Sequence, residues 1–161
     1  MTGPGSGEQV VDEDTQTPVE EPKQIEAWSD WVAQRAGRKP PEPGQIKTPD
    51  SIIADLDLMG HLAAQNVRIL READKTRRVA RRAHARARLG ALKDAVGKDA
   101  DTRKLEAEVA TEEQWESADN AEIAYEYAKS VAELVRSRTS AVQTQSKQVE
   151  LTYQLAGRGR Q

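Results

Sequence analysis

An all-α fold built on one long antiparallel, coiled-coil-like helical hairpin is what this sequence predicts, and three observations predict it. The apolar residues are mostly Ala, Val and Leu with no Phe, and the charges are dense and of both signs, which is the composition of long or coiled helices. Apolar positions recur three and four apart over long stretches, and no proline follows Pro49, so nothing forbids helix from there onward. One strong cluster of turn chemistry, Gly97-Lys98-Asp99-Ala100-Asp101, divides that stretch near its middle.

Taken in chain order, residues 1–23 are acidic, carry Pro and Gly and hold almost no large apolar group. They bury too little surface to offset the entropy of ordering, and a disordered tail is expected. Over 24–37, Ile25, Trp28, Trp31 and Val32 recur at helical spacing before Gly37, so a short amphipathic helix is expected there. The segment 38–47 contains three prolines and reads as a linker. The four apolar residues of the short helix have two readings: the tryptophans fold back onto the main body, or Ile25, Trp28, Trp31 and Val32 form a partner-docking motif of the helix-in-groove kind.

The hairpin is expected over 48–156. Thr48-Pro49-Asp50 starts a helix: Thr48 caps free amides, Pro49 suits the first helical position and Asp50 complements the dipole. Ile52, Leu56, Met59, Ala63, Val67 and Leu70 step by three or four into one apolar stripe. The turn falls near 97–100, with Gly90 as a weaker alternative break. The second helix should run from Asp101 to Leu155 and bury Leu105, Val109, Trp115, Ile123, Tyr127, Val131, Leu134, Val142 and Val149. Residues 157–161 form a short basic tail, expected to be flexible. With 37% apolar against 32% charged residues in a chain of 161, two such helices bury only a seam, and self-association into a homo-oligomer is expected.

Charge is segregated along the chain. Between Arg68 and Lys93 lie ten basic residues against Glu72 and Asp74. Of these, Arg68, Arg71, Lys75, Arg78, Arg82, Arg86 and Lys93 fall within about a quarter of the helix circumference and form a ridge. Such a ridge suits the phosphates of a nucleic acid through counterion release, without base reading. Residues 99–126 hold ten acids against Arg103 and Lys104. A turn near 98 brings residues 75–93 beside 104–122, so the opposite charges also suit the setting of hairpin register. Both readings stand at the level of sequence.

Other chemistries find little support. With no cysteine, disulfides and thiolate sites are excluded. His61 and His84 lie on one helix, 23 residues apart, which is about 35 Å. Asp57 and His61 at i, i+4 make a poor metal site, a salt bridge or solvated face being the commoner fate of such a pair. There is no Gly-rich phosphate loop or nucleophile elbow. No enzyme activity, cofactor or small-molecule substrate is expected. Nor is a membrane partner, because no stretch approaches about 20 apolar residues, and the acidic N-terminus lacks signal-peptide character, so a cytoplasmic location is expected.

The run HARARLGALKDAVGK from His84 and the run AYEYAKSVAELVRSRTSAVQTQSKQ from Ala124 together resemble the UvsY family of phage recombination mediators. In that family a K/R-x-R-L element near the end of one helix precedes a Gly-bearing turn, and a later helix carries an aromatic-L-x-x-R-x-x-A-x-x-x-K-type pattern. The resemblance covers roughly residues 52–153. It implies an oligomeric helical protein that binds single-stranded DNA in the host cytoplasm and helps load a recombinase against a single-strand-binding protein. Arg86 and Arg88 occupy the K/R-x-R positions, and the resemblance makes them DNA-contacting residues. Where the family has aromatics just after that element, this chain has Gly90 and Ala91.

The sequence thus points to a non-catalytic protein binding single-stranded DNA through Arg78, Arg82, Arg86, Arg88 and Lys93. The alternative is a phage virion or assembly protein, a scaffold or connector-associated factor acting by packing against protein.

Overall fold

A computed structural model describes residues 22–37 and 47–158. Of the tail expected over 1–23, residues 1–21 lie outside them, as do residues 38–46 of the linker expected over 38–47 and the last three residues; Pro22 and Lys23 belong to the first helix instead. Four helices form in the order α1 (Pro22–Ala36), α2 (Pro49–Asp94), α3 (Ala100–Ala110) and α4 (Glu112–Arg158), and no strand is present among the described residues.

The long helix α2 starts where its cap chemistry dictates. Thr48 has extended backbone, and its side-chain oxygen accepts the Ser51 amide at 3.3 Å, with Pro49 in the first turn. Its 46 residues give a rod of about 70 Å. Ile52, Met59, Leu62, Asn66, Ile69 and Ala73 are the buried line, stepping by seven and then by alternating threes and fours. That is a repeat of 3.5, the period of a left-handed coiled-coil seam. The stripe expected from sequence drifted off it: Ala63 and Val67 are exposed, while Leu56 and Leu70 are half-buried. Polar Gln65 and Asn66 hold the buried positions instead.

The turn spans residues 95–99 with Gly97 at its centre, beginning two residues before the expected 97–100. Helix α2 ends at Asp94, Ala95 turns extended, and Asp99 caps α3 by accepting the Thr102 amide at 2.7 Å. The amides of Val96 and Gly97 both donate to the Glu106 carboxylate, at 3.0 and 3.2 Å. Gly97 is required by proximity: a β-carbon there would stand 2.9 Å from the Thr102 methyl and 3.0 Å from the Arg103 amide nitrogen. Gly90, the weaker alternative break, stays within α2.

The second arm is broken, against expectation. Thr111 leaves helical geometry, and its hydroxyl donates to the Ala107 carbonyl at 2.8 Å. Back-bonding of this kind bends helices, and Glu112 and Glu113 then sit in the first turn of α4, where carboxylates are favourable. The arm also continues past the expected start of the basic tail at 157, ending at Arg158.

Burial on that arm differs more sharply. Leu105, Val109, Trp115 and Ile123 are 53 to 74% exposed, whereas Ala107, Ala118, Ala121, Ala124 and Ala128 are buried with Val131 and Val135. Tyr127, Leu134, Val142 and Val149 are half-buried, so Val131 alone of the expected set is fully enclosed. Small side chains let the two arms approach closely, so alanines line the seam and the large residues face outward.

Helix α1 lies across the middle of the hairpin and completes a three-helix core. Ile25 and Val32 are fully buried with Leu62 and Ile69, each contributing about 1.5–3 kcal/mol on burial. Ile25, Trp28, Trp31 and Val32 are therefore not a free partner-docking motif: packed with Met59, Ala124, Ala128 and Val135, they complete the thin core of this chain. The Tyr127 hydroxyl donates to Asp30, and the Arg35 guanidinium sits 4.4 Å from the Trp31 ring. At the open end of the hairpin, Lys47 ties Asp55 at 2.9 Å to Gln145 at 2.8 Å.

Candidate nucleic-acid interface

Most of the basic half of α2 lies beyond α1, toward the turn, where among the described residues it packs against α3 and α4. The helix repeat divides its cations into two sets. Arg77, Arg81 and Arg88 flank the seam. Arg77 reaches Asp74 at 2.6 Å and Glu122 at 3.3 Å, Arg81 reaches Glu122 at 2.7 Å, and Arg88 reaches Glu108 at 3.5 Å. These pairs place 77 opposite 122 and 88 opposite 108, the register that a turn near 98 requires.

Arg71, Lys75, Arg78, Arg82, Arg86 and Lys93 lie on the other side of α2, opposite buried Leu62, Ile69 and Ala73, and all six are exposed. Two of them are tied to acids of their own helix, Lys75 to Glu72 at 3.5 Å and Arg78 to Asp74 at 2.7 Å. Among the described residues, the side chains of Arg71, Arg82, Arg86 and Lys93 form no ion pair or hydrogen bond. Arg68, at the α1 end of the ridge, is half-buried.

The five residues expected from sequence to contact nucleic acid therefore part company. Arg82, Arg86 and Lys93 are free, and Arg78 is paired within its helix yet keeps 63% of its side chain exposed. Arg88 faces the seam edge and Glu108. Arg86 and Arg88, two positions apart, point about 200° apart on the helix, so the K/R-x-R element does not act as a pair of prongs on one surface.

Electrostatics follow from the same division. The Arg77 guanidinium, with Arg78 beside it, holds the Asp74 carboxyl below the usual range, and Asp74 and Glu122 raise Arg77 in turn. Arg77 also lies 3.9 Å from the centre of the Tyr125 ring. The sequence carries no sign of that pairing, which depends on the phase of α4 across the seam.

A second surface consists of residues that the sequence assigns to the core. Leu105, Val109 and Ile123, with Trp115 to one side, form the outer face of α3 and α4, interleaved with exposed Glu112, Glu116 and Asp119. Trp115, with Val109, Thr111, Glu108 and Glu112, also lines a groove with His84 and Arg88 of α2 at the helix break. Among the described residues, no group of three or more His, Asp or Glu is placed to hold a metal ion.

Fold and site together define a class: an all-α hairpin braced by a short third helix, with a basic ridge on one outer face and an acidic-apolar face on the other. No family model, curated protein or solved structure matches the chain. No helix among the described residues is long and apolar enough to cross a membrane.

Proposed function

We propose that this chain is a non-catalytic accessory protein of DNA recombination that binds single-stranded DNA along the outer face of α2 and acts as an oligomer. The observation that carries the reading is the orientation of Arg82, Arg86 and Lys93: exposed, turned away from the seam and free of partners among the described residues. Cations needed only to set register would be engaged by the acids across the seam, as Arg77, Arg81 and Arg88 are. A row of free cations on a rigid helix favours a polyanion through counterion release. The resemblance to UvsY-type mediators supplies the single-stranded form of the DNA, a recombinase or single-strand-binding protein as further partners, and a phage setting in the host cytoplasm.

The exposed apolar residues of α3 and α4 favour a second reading, a virion or assembly protein working through protein packing. Titration of a fluorescent single-stranded oligonucleotide at several salt concentrations separates the two. Nucleic-acid binding through about three phosphates gives a slope of log K on log salt of about −2. No binding even at low salt ends the recombination reading and leaves the assembly one.

A further inference from the structure

The two outer faces of the hairpin are opposite in charge and alike in carrying large apolar side chains. On the outer side of α2, Val67, Val79 and Leu89 are 58 to 68% exposed among the ridge cations. Phosphate binding has no use for three such side chains, whereas a protein surface does. On the outer side of α3 and α4, Leu105, Val109, Trp115 and Ile123 alternate with Glu112, Glu116 and Asp119. The first stretch is about 33 Å long and the second about 27 Å.

From this complementarity we infer that the acidic-apolar face of one copy docks on the basic-apolar ridge of a second copy of this chain. The alternatives fail on charge. Two acidic-apolar faces together would oppose Glu112, Glu116 and Asp119 to their own counterparts, and two ridges would oppose Arg82 and Arg86 to theirs. Facing unlike surfaces brings opposite charges together while covering apolar groups on both sides. The interface is heterologous, using a different surface on each partner, so every docked copy still presents one unused face and assembly does not stop at two. This goes beyond the proposed function and shares the ridge with it: single-stranded DNA and a second copy compete for Arg82 and Arg86, so DNA engages the ridge left unused at the end of an assembly or displaces a neighbouring copy from it.

Two full-length variants test the inference without any nucleic acid, so its outcome is separate from the oligonucleotide result. Arg82→Glu/Arg86→Glu removes the ridge and keeps the acidic-apolar face; Val109→Gln/Ile123→Gln does the reverse. All four positions are exposed on helices, and circular dichroism checks that helix content is kept; Arg82→Gln/Arg86→Gln replaces the first variant if it is not. By sedimentation, wild type forms species larger than a dimer at micromolar concentration, and each variant alone is a monomer. An equimolar mixture forms a one-to-one dimer that grows no further, with a blue shift from Trp115, the exposed tryptophan of the three. A monomeric wild type, a variant that still assembles alone, or a mixture that stays monomeric overturns the inference.

Discussion

Arg77 of α2 meets Glu122 of α4 across the seam at 3.3 Å, while another nitrogen of the same guanidinium holds Asp74 at 2.6 Å. Only 19% of the Arg77 side chain is exposed, and its planar face covers the Tyr125 ring. This one residue joins local helix chemistry to the register of the hairpin. Arg77→Ala leaves Glu122 with one fewer partner and Tyr125 uncovered, and should cost about 1–3 kcal/mol, or several degrees in Tm. Arg78→Ala, whose pair with Asp74 lies on the surface, should cost under about 1 kcal/mol. Thermal melts of the two variants that fall together would show that the cross-hairpin pair contributes nothing special.

Asn66 should yield a more stable protein when its polarity is removed. It is 3% exposed within the seam, and neither its amide nitrogen nor its oxygen has a hydrogen-bond partner among the described residues. Leucine has the same branching without the desolvation cost, so Asn66→Leu is expected to raise stability by about 1–3 kcal/mol. A buried Asn in such a repeat fixes register at a cost in stability. The gain should therefore come with a broader set of associated species by sedimentation. A lower Tm would place a partner on this carboxamide.

Raising pH should release α1 before the hairpin melts. The hydrogen bond to Asp30, with burial, pushes the Tyr127 hydroxyl from about 10 to about 12. The protonated form is the one favoured in the fold, so its contribution is complete below pH 10 and is lost as pH rises toward 12. Fluorescence of Trp28 and Trp31 should shift to the red over that window while helicity from the long arms persists, and Tyr127→Phe should flatten the transition. Asp74 behaves in the opposite sense: its lowered pKa makes its contribution present above the ordinary carboxylate range and lost only as acid takes the pH below it. An alkaline transition unchanged in Tyr127→Phe would separate α1 docking from this hydroxyl.

The chemistry of ends was legible in the sequence, and the choice of buried face was not. Thr48, Pro49 and Asp99 have local, one-residue reasons for their positions, and from them follow the start of α2, the turn and the pairing of 77 with 122. Burial depends on how near the two arms come. Near the turn the seam is closed by alanines, and ranking positions by size put Leu105, Val109, Trp115 and Ile123 inside when they belong outside. The same preference for large side chains chose Val67 over Asn66 and shifted the α2 stripe by one residue, although a strict 3.5 repeat through Leu62 and Ile69 was there to be found. The break at Thr111 had a signal too, since Thr111-Glu112-Glu113-Gln114 matches the pattern of a helix start.

The proposed function has helix α2 divide its cations between the seam, where Arg77, Arg81 and Arg88 pair with acids across it, and the outer ridge, where Arg82, Arg86 and Lys93 would meet phosphate. The most direct measurement is the salt dependence of single-stranded DNA binding by Arg82→Ala/Arg86→Ala beside wild type, at the lowest usable protein concentration so that assembly does not intervene. Both residues are exposed and free among the described residues, and alanine is the better helix former, so Tm should hold. Affinity should fall, and the slope of log K on log salt should become shallower by about 1.4, roughly 0.7 for each phosphate no longer neutralised. An unchanged slope, or a lower Tm with DNA binding intact, would contradict this division of roles.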